Sequence, residues 1–186
     1  MGKDKLRVAL LAGGKSAERE VSLKSGDQVY HALDKERYDV LRYDPRDDLP
    51  RLAGEADNID VALIILHGRL GEDGTVQGML ELLGIPYQGS GVLGSAVAMN
   101  KILSKKLYVQ AGLPVAPYAV MDKSRLRDVG SVVKELGFPL VVKPEHEGSS
   151  IGLSIVRDKD QLLKALEDAW QYDRLCLLEK YLAGIE

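Results

Sequence analysis

The chain has 186 residues, with 45% hydrophobic and 28% charged side chains, an ordinary globular composition that excludes a fibrous or disordered polymer. Its net charge of −3 and the lack of any basic run give no footprint for nucleic-acid binding. A single cysteine, Cys176, excludes an internal disulfide framework and fits a reducing compartment.

The opening passes directly into a short apolar run, Val8 to Ala12, which glycine breaks too soon for a signal-peptide core. The longest apolar run, Val61 to Leu66, falls far short of the ~20 residues a membrane helix needs. A cytoplasmic protein without a membrane partner is expected.

In chain order, Leu6 to Leu11 reads as a buried strand closed by Gly13-Gly14. Glu18 to Leu33 reads as a helix with Val21, Val29 and Leu33 on one side. Tyr38 to Tyr43 is a second strand. Val61 to Leu66 is a third, apolar throughout as a strand covered on both faces must be. Asp73 to Leu83 is helical and stops at Gly84; Ile85 to Tyr87 is a short strand. This alternation predicts an α/β unit over residues 1–100 with a parallel sheet, whose ligands collect at the carboxyl ends of the strands.

A second, α+β unit is expected over residues 101–186. Ile102 to Gln110 is a helix, ended by Ala111-Gly112 and Pro114. Val115 to Met121 is a strand, Val129 to Leu136 a helix closed by Gly137, and Leu140 to Lys143 a strand. Gly148 to Gly152 is a flexible turn whose return strand, Leu153 to Val156, pairs back as a hairpin. Asp158 and Gln161 form a capping box for a helix with Leu162, Leu163, Leu166 and Trp170 on one face. Leu175 to Leu182 is the last strand. Glu186 follows at once, so the sequence reads as the amino-terminal portion of a longer chain.

Four segments carry chemistry. Gly148-Ser149-Ser150-Ile151-Gly152 is either a plain hairpin turn or a small-residue loop able to wrap a polyphosphate. Lys143, at the end of an apolar strand, and Lys101, at the domain junction, favour the second reading, because an ammonium there is useful with an anionic partner. Gly13-Gly14-Lys15-Ser16 resembles the tail of a P-loop, but position 9 is alanine where that motif needs glycine. Glu18 and Glu20 follow it; they either compensate a helix dipole or grip an amino acid's ammonium. His67 to Gly74 packs four titratable side chains into eight residues after the third strand.

These residues resemble a known family. Ala12-Gly-Gly-Lys-Ser-Ala-Glu-Arg-Glu-Val-Ser22 is similar to the first signature of D-alanine–D-alanine ligases, and His67-Gly-Arg-Leu-Gly-Glu-Asp-Gly-Thr-Val-Gln-Gly78 to the second. Met99-Asn-Lys101, Gly112-Leu-Pro-Val-Ala-Pro117, Lys143 to Gly152 and Leu178 to Glu186 follow in family order. The resemblance implies a Rossmann-like domain ahead of a partial ATP-grasp fold. It also implies ATP-dependent ligation of two D-alanines through an acyl phosphate, for peptidoglycan synthesis, by a homodimer. It places Glu18 on the ammonium of the first D-alanine, with Ser149 as its hydrogen-bonding partner. His67 falls near the substrate carboxylate and Glu72 in support. Lys101, Lys143 and the Gly148–Ser150 turn fall on phosphate. Glu179, Lys180 and Leu182 fall on the adenine hinge, reached by backbone amides and apolar contact, and Glu186 falls on ribose. The Mg²⁺ ligands and the phosphate-stabilising arginine would lie beyond Glu186, so the 186 residues alone are expected to be inactive. A D-alanine–D-lactate ligase, another carboxylate–amine ligase or a non-catalytic binding module remain alternatives.

Overall fold

The computed structural model describes residues 5–184. The chain divides into two compact units, Met1–Ala96 and Val97–Glu186.

In the first unit, strands β1 (Leu6–Leu11), β2 (Tyr38–Tyr43) and β3 (Val61–Ile64) form a parallel sheet in the order β2-β1-β3. β1 is central, and Ala9, Leu10 and Leu11 have no exposed surface. The helices are α1 (Arg19–Ala32), α2 (Leu49–Gly54) and α3 (Thr75–Leu82), and α4 (Val92–Met99) begins in this unit and contains the boundary between the two. The short helices α2 and α4 were not legible in the sequence.

The face of α1 differs from expectation. Val21 is exposed, and the buried positions are Ser22 and Gly26. A Cβ on Gly26 would collide with the Ala12 side chain, so the helix lies closer to β1 than a row of valines would allow. β3 ends at Ile64 rather than Leu66, and only Ala62 within it is fully buried. It is an edge strand. The expected strand at Ile85–Tyr87 contracts to one parallel bridge, Ala62 to Tyr87. Beyond it the Gln88 side chain replaces a ladder partner, accepting from Ile64 N at 2.9 Å and donating to Ile64 O at 2.7 Å. Helix α3 starts at Thr75 instead of Asp73, because the Asp73 carboxylate accepts from Leu70 N (2.8 Å) and Thr75 N (3.0 Å) ahead of it.

In the second unit, β4 (Tyr118–Asp122), β5 (Leu140–Pro144), β6 (Ser154–Val156) and β7 (Leu175–Lys180) form an antiparallel sheet in the order β4-β7-β5-β6. Its helices are α5 (Lys101–Gln110), α6 (Val129–Leu136) and α7 (Lys159–Ala169). β4 begins three residues later than Val115, since Pro117 has no N–H for a ladder. Asp158 accepts from Gln161 N at 2.9 Å, capping α7. Gln161 Oε1 reaches back one residue further than a capping box requires, to Arg157 N at 3.0 Å. Ala165 and Ala169 join Leu162 and Leu166 in the core, whereas Leu163 and Trp170 are half-buried at its margin.

Strand periodicity assigns the two faces of this sheet. Leu140, Val142, Val156, Cys176 and Leu178 point into one core with α6 and α7. The alternate positions, Val141, Lys143, Ile155 and Glu179, therefore occupy the opposite face.

Candidate active site

The first unit gathers its polar groups at the carboxyl ends of its strands. Ser22, fully buried, accepts from Gly13 N at 2.8 Å and donates to Ile65 O at 2.6 Å, tying the glycine turn to the end of β3 through α1. Asp44, after β2, accepts from Gly14 N at 2.9 Å and from Arg46 N at 3.0 Å, and pairs with Arg19 at 2.6 Å. Burial works against that carboxylate, but the Arg19 guanidinium and the two backbone donors outweigh it, holding Asp44 below its ordinary pKa.

Glu18 is the N-cap residue of α1 and is only 8% exposed. Its backbone N–H donates to Ser16 Oγ at 3.2 Å, and that hydroxyl donates to His67 O at 2.7 Å. Glu18 Oε2 lies against Gly68, where a Cβ would come within 2.5 Å of it. Gly68 N in turn donates to Glu72 Oε2 at 2.7 Å. Glu18, His67 and Glu72, separated by up to 54 positions in the sequence, thus meet around one glycine. Next to them a cavity of about 130 Å³ is lined by Gly13, Ser16, Leu66, His67, Leu70 and Met79 among others.

In the second unit the N-terminus of α5 docks on the segment after β5. Asn100 caps the helix through Leu103 N at 2.8 Å, and its amide donates to Glu145 Oε1 at 2.8 Å. His146 is fixed by Asp173, which accepts from its backbone N–H at 2.8 Å and lies 3.2 Å from its Nδ1. The Lys101 ammonium donates to the carbonyl of Glu147, at the foot of the serine turn. Burial, then the nearby charge of Lys143, lower the Lys101 pKa, so the two cations share one neighbourhood. Ser149 and Ser150 carry φ of 45° and 62°, a left-handed pair that side chains other than glycine adopt at a cost of about 1–3 kcal/mol each. Strain of this kind in a small-residue turn accords with a loop shaped around a ligand.

On the sheet face opposite the core, Glu179 is 9% exposed and takes two cations. Lys143 pairs with its Oε2 at 2.6 Å, and Lys105 with its Oε1. Burial would raise the carboxyl pKa; Lys105 and Lys143 more than offset this and lower it. Lys105 escaped the sequence reading, although it sits four residues from Lys101 in a helix, the spacing that puts two side chains on one face. The Asn100–His146–Asp173 chain was missed too; no local pattern reveals contacts spanning 46 and 27 positions. Beside Glu179 lies a slot of about 260 Å³ walled by Ala116, Val141, Leu153 and Ile155 and reaching Leu182. Leu182 is 66% and Ile155 47% exposed. Lys180 reaches the carbonyls of Gly137 (3.5 Å) and Phe138 (3.3 Å). Its N–H donates to Pro117 O at 2.8 Å and that of Tyr181 to Pro139 O at 3.1 Å. The backbone N–H groups of Lys180 and Tyr181 are therefore committed within the protein. Glu186, expected on ribose, lies outside the described residues.

Two lysines, a serine turn and an apolar slot form a donor set suited to a nucleoside triphosphate. No group of three or more His, Cys, Asp or Glu able to hold a metal ion occurs among the described residues, so the Mg²⁺ implied by the resemblance does not find a ligand set there. No helix among them is long and apolar enough to cross a membrane.

Family models supply the decisive comparison. The one described as D-ala D-ala ligase N-terminus matches residues 7–48 and 44–90, and the one described as D-ala D-ala ligase C-terminus matches residues 107–186. The chain belongs to the D-alanine–D-alanine ligase family. A D-alanine–D-alanine ligase from Syntrophobacter fumaroxidans is 72% identical over the whole chain, which covers 60% of that relative. The crystal structure of the Bacillus anthracis ligase matches with a TM-score of 0.87 at 41% identity, over 96% of this chain and 58% of that one. A structure of the B. anthracis enzyme complexed with ATP matches with a TM-score of 0.83 at 38% identity, over 96% and 60%. The chain thus spans about 60% of the length of these ligase-family relatives.

Proposed function

We propose that this chain is the amino-terminal part of an ATP-dependent ligase that joins two D-alanines into D-alanyl-D-alanine for peptidoglycan synthesis. The observation that carries the reading is that Lys101 bonds the carbonyl at the foot of the strained serine turn while Lys143, within range of its charge, lines an apolar slot. It occurs in a chain 72% identical to a D-alanine–D-alanine ligase.

A carboxylate resists attack by an amine because oxide is not a leaving group. Transfer of the ATP γ-phosphoryl group to a carboxylate oxygen of the first D-alanine releases ADP and gives an acyl phosphate. The amine nitrogen of the second D-alanine, having lost a proton, then bonds to the acyl carbon. The tetrahedral intermediate collapses as the C–O bond to phosphate breaks. In this reading Glu18 holds the ammonium of the first D-alanine, and a charge-assisted bond of this type contributes roughly 1.5–3 kcal/mol; Ser149 is a further substrate-binding residue. His67 and Glu72 support the substrate end. Lys101, Lys143 and the Gly148–Ser150 backbone offset phosphate charge as it moves. The slot takes the adenine ring between Ile155, Leu153 and Leu182. With the Lys180 and Tyr181 amides committed, an amide contact to the base falls to Leu182. Glu186 on ribose, a homodimer of the full-length product and a cytoplasmic site of action belong to the same reading.

The test is ADP release and dipeptide formation by the full-length gene product carrying this sequence. D-alanine with ATP is expected to give both. Release that needs D-lactate as second substrate would transfer the reading to a depsipeptide ligase. Release independent of D-alanine would overturn it.

A further inference from the structure

The helix α5 carries Lys101 and Lys105 one turn apart, and the two reach different targets. Lys101 meets the foot of the serine turn. Lys105 lies over the Tyr118 ring, 5.1 Å from its centroid, and its ammonium pairs with Glu179 Oε1. Glu179 also holds Lys143 through its other oxygen. The side chains of Lys105 and Glu179 are 13% and 11% exposed, while that of Lys143 is 27% exposed. The carboxylate thus has an inner, enclosed cation and an outer one at the mouth of the slot.

This asymmetry has an energetic meaning. If Lys143 turned toward a phosphate while Glu179 had no other partner, a buried carboxylate would be stranded, and breaking a buried pair by removing one side is strongly unfavourable. With Lys105 in place, Glu179 remains paired when Lys143 leaves. We propose that Lys105 is a positioning residue of the nucleotide site, a fixed counter-charge on Glu179 that frees Lys143 to move between the carboxylate and the triphosphate. The inference rests on the nucleotide reading of this site. It adds a residue with no contact to the nucleotide of its own.

The test is calorimetric binding of ADP and of the non-hydrolysable analogue adenylyl imidodiphosphate to the full-length gene product. Lys105→Met is expected to weaken the analogue about tenfold or more, with Lys105→Arg retaining most of the affinity. Adding Glu179→Gln to Lys105→Met should restore affinity to within about threefold, because the stranded charge is gone and Lys143 is released. In a Lys143→Met background, Lys105→Met should have no further effect. Equal losses from Lys105→Met with and without Lys143, or no rescue by Glu179→Gln, would overturn the role of Lys105 while leaving nucleotide binding intact. Absence of binding by the unmodified protein would instead overturn the nucleotide reading and this inference with it.

Discussion

The Glu18 carboxylate occupies the space that a side chain on residue 68 would fill. A Cβ built on Gly68 lies 2.5 Å from Glu18 Oε2, and Gly68 has φ of +68°. The glycine thus serves two purposes, a left-handed turn and room for an acid. Gly68→Ala is expected to cost about 1–2 kcal/mol from backbone conformation alone. It should also push Glu18 aside, so that D-alanine affinity falls while nucleotide affinity holds. Urea denaturation and separate titrations of the two ligands check both parts.

Glu18→Gln keeps the shape and removes the charge. Loss of one charge-assisted bond, roughly 1.5–3 kcal/mol, corresponds to about a tenfold or greater rise in the KM for the first D-alanine. The KM for ATP should stay within about twofold, since Glu18 has no assigned phosphate role. Equal losses for both substrates would remove it from the ammonium site.

Asp44 gives the first unit an acid-sensitive contact. Its folded pKa is depressed, so the stability it adds is fully present above its unfolded value, near 3.9, and is lost as pH falls through the lower folded value. Asp44→Asn should lower the denaturation midpoint at pH 7 and flatten its dependence on pH below about 4. A parallel displacement of the two curves at every pH would show that the carboxylate charge is not involved.

Cys176 lies in the core of the second unit with no exposed surface. Burial, and then the charge of Asp173, push its thiol up to about 12. At pH 8 its thiolate fraction should be about a thousandfold below that of an ordinary thiol, whose pKa is near 8.5. An aromatic disulfide reagent should react only after denaturant is added. Fast labelling of the native chain would place this thiol outside the core.

Features with a local signature were readable in advance. Gly137 closes α6 at the expected residue with φ of +66°, because leaving a helix in that conformation nearly demands glycine. The β5–β6 hairpin was legible from the glycine-serine turn between two apolar runs. The face of α1 was not. Hydrophobic periodicity favours Val21, whereas close approach to the sheet selects Ser22 and Gly26, and smallness leaves no periodic apolar mark. In the candidate site, the acids and lysines stood out through their glycine-rich surroundings. Lys105 did not, because its value comes from Glu179, 74 positions away, and neither residue looks unusual in its own segment.

Gly26 has a consequence for the acid two turns earlier. Its missing methyl lets α1 settle onto Ala12, and α1 bears Glu18 at its leading end. A single carbon added at position 26 would lever the helix outward and retract the acid from Gly68. The reach of the proposed substrate grip is thereby gauged by an empty space the size of a methyl group, two turns along the helix from the carboxylate itself.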